Sequence, residues 1–304
     1  MLREAVNQVK IEGILSETDL KYGSFVKDGK TVETIGGSIK VLVVQNINGA
    51  PQSNEIPVYM FSQKYTKAGK LNPAYESIER VMKEYVSIAS AGGEAGATKI
   101  RITNAKITMN EYIGQNGKLV SFPRIQASFA GIANGEFKPE GSFSVEMAVS
   151  NIVPVVDSEG VEVEPRRLKI TGIVPQYGGK VDVVEFLATT PNVINAIENY
   201  WEKNGTFKAV GKLNFTSTTR VEKEEVDFGE PVEHIRTVSV SELIITGGSQ
   251  APLEGEFAFD IDEINEGLAR RKENLAKSKE RAAAGKKTPA PTPTRSISTE
   301  DLGF

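Results

Sequence analysis

The sequence has no cysteine and a single histidine, His234, among its 304 residues. Disulfides, thiolate metal sites and cysteine nucleophiles are thereby excluded, and His-based triads or zinc sites have at most one candidate. His234 sits in an acidic, strand-like stretch and reads as structural. Long apolar runs are also missing. No window approaches the roughly 20 apolar residues of a membrane span, and Met1-Leu2-Arg3-Glu4 does not begin the apolar core of a signal peptide, so a cytoplasmic protein without membrane contact is expected. Nor is there a phosphate loop. The pairs Gly36-Gly37, Gly92-Gly93, Gly178-Gly179 and Gly247-Gly248 lack the Gly-Lys-Ser/Thr ending and read as turns. The acidic runs 222–227 and 260–263 do not match a calcium-loop spacing and read as solvated loops. With no catalytic motif, cofactor site or metal site, a non-enzymatic protein is expected.

Charge is present but divided. The net of −4 conceals residues 1–150 at +2, residues 151–253 at −5, six acids without a base from Glu254 to Glu266, and eight bases against two acids from Arg270 to Lys287. Polarised blocks of this kind suit interaction surfaces.

A repeat organises the rest. Val9-Lys10-Ile11-Glu12-Gly13-Ile14-Leu15 returns as Leu168-Lys169-Ile170-Thr171-Gly172-Ile173-Val174, and both are read as the first strand of a unit. In each half a proline-opened helix follows (Asn72-Pro73 onward, with Ile78, Val81, Met82 and Tyr85; Thr190-Pro191 onward, with Val193, Ile194, Ile197 and Trp201), then two alternating strands. Strands on both sides of one helix fit the five-stranded oligonucleotide-binding barrel, with its helix between strands three and four. The fold class expected is therefore mainly β with one helix per domain: two such barrels, at 1–143 and 144–253, followed by a basic, partly disordered tail at 254–304. The second copy shows one strand too few before its helix. Either the stretch from Ser144 to Val156 supplies it or the copy is degenerate. A β-sandwich and an α+β fold remain alternatives.

The positive signal lies in the first half, where aromatic and basic residues interleave. In the segment Val58-Tyr59-Met60-Phe61 one parity faces the core. With Val58 and Met60 inside, Tyr59 and Phe61 stand outside near Lys40, where bases of a single strand could stack. Lys64, Tyr65, Lys67 and Lys70 follow in the next loop without an acid, and Tyr22, Phe25, Arg101, Tyr112, Lys118, Phe122 and Arg124 occupy strand-end segments. These residues are the candidate nucleic-acid site.

Beyond residue 253, a polar basic helix from Ile261 to Lys287 precedes Pro289-Ala290-Pro291-Thr292-Pro293-Thr294, an extended spacer. The end is Glu300-Asp301-Leu302-Gly303-Phe304. Barrels, basic stretch, spacer and acidic-aromatic tip together resemble single-stranded-DNA-binding proteins, particularly phage-encoded ones with tandem barrels. Bacterial members end in aspartates followed by Ile-Pro-Phe, whereas this tip has fewer acids and Gly303 in the proline's place. The resemblance implies transient coating of single-stranded DNA in replication or recombination. It also implies recruitment of replication or recombination proteins through Glu300, Asp301, Leu302 and Phe304. A β-rich virion or tail component is the alternative, and a hydrolase using the acidic clusters a more distant one.

Overall fold

The computed structural model describes residues 2–114, 116–224 and 232–285. The terminal tip, with Glu300, Asp301, Leu302 and Phe304, lies outside the described residues, and so does the side chain of His234.

Two long hairpins open the chain: β1 (Asn7–Lys27), β2 (Lys30–Ile47) and β3 (Ala50–Gln63). Helix α1 (Pro73–Glu84) starts at Asn72, whose side chain caps the amide of Ala74, with proline in the first turn where no N–H is needed. A short helix α2 (Ile88–Ala91) leads to β4 (Lys99–Ile113), β5 (Leu119–Ala127) and β6 (Gly131–Ile132). Then come β7 (Glu140–Pro154), β8 (Leu168–Gln176), β9 (Lys180–Ala188), helix α3 (Pro191–Tyr200), β10 (Thr206–Glu224), β11 (Val232–Gly248) and helix α4 (Ile261–Gly285).

The molecule is mainly β, as expected, but its eleven strands form one continuous sheet rather than two separate barrels. Within that sheet the pairings trace two circuits. In the first, β1 pairs with β2, β2 with β3, β3 with β5 in parallel, β5 with β4, and β4 with β1. In the second, β7, β8, β9, β11 and β10 repeat that order, again with one parallel step between β9 and β11. Each helix between third and fourth strands, α1 and α3, turns an apolar stripe inward (Tyr75, Ile78 and Val81; Ile194 and Ile197).

The circuits are fused by β1 and β7, which pair antiparallel over Asn7–Glu12 and Glu140–Val145. Three buried amides complete the seam. Asn7 exchanges hydrogen bonds with the backbone of Ile107. Gln45 donates to the Leu213 carbonyl and accepts from Gly141 N–H, and Asn54 accepts from Phe215 N–H at 2.9 Å. Buried backbone groups need such partners, so these side chains fix the hairpin β2–β3 against β10.

Three sequence expectations are corrected. First, Gly13 lies in the first strand of its circuit, but Gly172 lies in β8, the second strand of its own; the missing strand is β7, covering 144–154 of the stretch considered for it. The two glycines answer separate close approaches: an added Cβ would lie 2.4 Å from the Leu42 carbonyl oxygen at Gly13, and 2.2 Å from Met147 Sδ at Gly172. Secondly, Gly36-Gly37 and Gly247-Gly248 are inside strands, not turns. At Gly37, φ is +146° and a Cβ would collide with the Asp19 carbonyl oxygen, so only glycine fits this crossing of β1 and β2. Thirdly, the segment after residue 253 is no free tail at its start: Phe259 and Ile264 are buried, and α4 packs on β9 and β4.

Candidate nucleic-acid interface

The outer face of β2, β3, β5 and β4 is built by register. Period-two alternation buries Ile39, Val41, Ile56, Val58 and Met60 completely, which turns their neighbours outward. Ser38 lies opposite Tyr59, Gly36 opposite Phe61, Lys40 opposite Pro57, and Tyr59 beside Gln126 of β5. The Phe61 ring rests over Gly36, where a Cβ would meet it at 2.9 Å, yet stays 40% exposed. Beside it the Arg124 guanidinium sits 4.4 Å from the centroid of the Tyr59 ring, steered by a 2.5 Å hydrogen bond to Asn110. The result is a ring and a cationic plane stacked on an open sheet face.

Two hairpins flank this face. On the β4–β5 hairpin Tyr112 and Phe122 meet edge to face at 6.5 Å, both exposed, with Lys118 exposed at the turn. At the β1–β2 hairpin Phe25 is exposed, and Tyr22 leans on α1, its hydroxyl donating to Glu79 and its ring 6.5 Å from Tyr75. Tyr65 is exposed beneath Lys64, while Lys67 and Lys70 are exposed in the β3–α1 loop.

Not every candidate cation is available. Lys40 pairs with Glu17 at 2.5 Å, and that hydrogen bond holds its ammonium above the usual lysine range. Lys64 is held likewise by Glu33 at 2.9 Å. Arg101 lies where β4 pairs with β1 and β6, away from the face, with its guanidinium forked onto Glu12 at 2.7 and 2.9 Å and also donating to the Glu136 carbonyl. Lys67, Lys70 and Lys118, with Lys27 and Lys30 on the β1–β2 hairpin, have no ion pair among the described residues. The face therefore has an aromatic centre, neutralised lysines around it and unpaired lysines at its rim. Gln126, Ser38 and Asn110 belong to this face but were not read from the sequence, because only the strand register places them there.

Among the described residues no cluster of three or more His, Cys, Asp or Glu side chains could hold a metal ion, and no helix is long and apolar enough to cross a membrane.

These features define a mainly β, two-circuit chain with an aromatic, cation-rimmed sheet face. The chain belongs to the YorF family, whose model matches residues 5–281. No curated protein matches the sequence. Among solved structures, the wild-type single-stranded DNA binding protein of Thermus aquaticus is similar with a TM-score of 0.49 and 10% identity, over 83% of this chain and 96% of that one. A deletion mutant of the same protein gives 0.44 and 11%, over 83% and 97%. A replication protein A heterotrimer bound to single-stranded DNA gives 0.23 and 9%, over 78% and 49%. These likenesses are weak, and the functional reading rests on the chain's own geometry.

Proposed function

We propose that this chain is a sequence-nonspecific single-stranded-DNA-binding protein whose two strand circuits are oligonucleotide-binding barrels, the first of them carrying the strand. The division proposed is 1–143, 144–253 and 254–304, with β7 shared across the first boundary. The observation that carries the reading is the shared outward face of Tyr59, Phe61 and Arg124 between two hairpins bearing exposed aromatics and unpaired lysines. Barrels of this type bind oligonucleotides on the face of strands two and three and with the loops joining strands one to two and four to five, and those are the elements assembled here. Bases stack on rings and on the Arg124 plane, at about 1–3 kcal/mol each, without reading base identity. Rim lysines meet phosphates, which makes binding salt-dependent.

The role is non-enzymatic: the protein coats exposed single strands in the cytoplasm during replication or recombination, with phage DNA metabolism the setting. Glu300, Asp301, Leu302 and Phe304 recruit replication or recombination proteins, a part of the proposal that rests on sequence alone. The test is anisotropy of labelled oligothymidine titrated with the protein across a salt series. Intrinsic fluorescence is a poor reporter, because the single Trp201 is buried against Phe207 in the second circuit. Saturable binding that weakens with salt is expected; no binding at low salt would overturn the reading.

A further inference from the structure

We propose that α4 is a phosphate-binding arm that extends the path of a nucleic-acid strand beyond the first circuit; this rests on the single-strand reading above. The helix has two halves. In the first, the body-facing positions Ile264, Gly267, Leu268 and Arg271 pack on β9 and β4. Gly267 lies so close to Val181 that a Cβ would sit 2.7 Å from its side chain, and Arg271 forks onto Glu111 of β4, the residue before Tyr112. Glu111 also accepts from Ser121 across the β4–β5 hairpin. The helix is thus anchored to the base of the hairpin that bears Tyr112 and Phe122.

In the second half, residues 276–281 are all exposed, so the helix leaves the body. A helix without packing persists only on good local propensity, and Ala282 to Ala284 with the Glu273–Lys277 pair supply it. Its charge is ordered. Arg270, Lys277 and Arg281 stand at i, i+7 and i+11 on one flank, Lys272 and Lys279 at i and i+7 on the other, and Glu273 and Glu280 between them on the solvent side. Arg270 begins its flank against the Gly178-Gly179 turn, its guanidinium 3.1 Å from a Cβ built at Gly179, next to exposed Lys180. Arg270, Lys272, Lys279, Arg281 and Lys180 have no ion pair among the described residues. Nothing in the fold uses these charges, and a repulsive row on an overhanging helix is costly unless an anion meets it. A polyanion running along the helix, one phosphate per basic side chain, fits that spacing better than a compact ligand does.

The experiment compares the intact chain with Lys277→Gln/Lys279→Gln/Arg281→Gln on oligothymidines of about 8 and about 30 nucleotides, since one barrel covers roughly 4–16. With the long strand, affinity should fall and the log–log salt slope should lessen by up to about 2, at 0.7 per lost phosphate contact. The short strand should bind as before. A second variant, Lys277→Arg/Lys279→Arg, should retain wild-type behaviour on both. Unchanged long-strand binding, or equal losses on both lengths, would overturn the arm, as would a loss in the charge-keeping variant. If the intact chain binds neither oligonucleotide, the single-strand reading itself fails.

Discussion

The two circuits share strand order, a helix in the same position and even the same edge change, since a register shift interrupts β1 between Leu15 and Glu17 and β7 between Val149 and Asn151. They differ in what their second and third strands show to the outside. The first presents Tyr59, Phe61 and, from β5, Arg124. The second presents Lys169 paired to Glu185 at 3.4 Å, with Thr171, Val183 and Leu187, and its one large ring in β9, Phe186, is fully buried. The far end of that face is covered. Asp182 accepts the amide of Met109, and α4 lies along β9. One topology thus serves twice, once as a binding surface and once as a base on which α4 and β4 are mounted. Topology alone does not assign a role; the side chains left outside do.

The sharpest way to break this contrast is to strip the first face. Tyr59→Ala/Phe61→Ala should weaken oligothymidine binding by about 2–6 kcal/mol, from 1–3 per stacked base. Val183→Ala/Leu187→Ala in the second circuit should leave affinity unchanged. Melting curves on both variants separate binding from folding, because the four side chains are not fully buried. Equal losses would make the circuits equivalent.

A smaller effect is expected at the seam. Asn54→Ala strands the Phe215 amide in a buried site, a cost of about 1–3 kcal/mol in chemical unfolding. Binding per folded molecule should persist, since Asn54 is on the core side of β3. A variant that folds normally but loses DNA affinity would instead tie the seam to the site.

Smaller again is the rim. Lys67→Gln/Lys70→Gln should lessen the salt slope by up to about 1.4, at 0.7 per contact. Lys64→Gln should do less, because Glu33 already holds that ammonium. A slope change led by Lys64 would show that the pair opens for phosphate.

The smallest effect belongs to the second circuit. Burial, with Glu111 nearby, raises the Asp182 carboxyl above its ordinary range. Its folded form therefore binds the proton more readily than the unfolded chain does. Stability gained from the protonated carboxyl is present at low pH and lost as pH rises through the raised value. Asp182→Asn should melt slightly higher than the native chain at neutral pH, and the gap should close on acidification. A gap that widens on acidification would reverse the sign.

Much of the first face was legible, and the reasons are local. Alternation in 58–61 decides which side is wet, and proline after Asn72 or Thr190 marks where helices start. What could not be read depended on partners distant in sequence. Lys40, Lys64 and Arg101 look free in the chain, but Glu17, Glu33 and Glu12 are brought to them by strand pairing. The repeated Lys-Ile-x-Gly-Ile motif misled for a related reason: glycine at a close approach serves any strand, so similar heptads came to lie in the first strand of one circuit and the second of the other. Gly36-Gly37 looked like a turn because a positive φ inside a strand is rare, and only the crossing with Asp19 explains it.

The central claim is that single strands lie on the first circuit's outer face and not on the second's. Ultraviolet crosslinking of oligothymidine to the intact protein, followed by mass spectrometry of the attached peptides, tests it directly. Crosslinks are expected at Tyr59 and Phe61 and on the Tyr112–Phe122 hairpin, with none on 168–188. Crosslinks concentrated on 168–188, with the first face unmarked, would contradict the account.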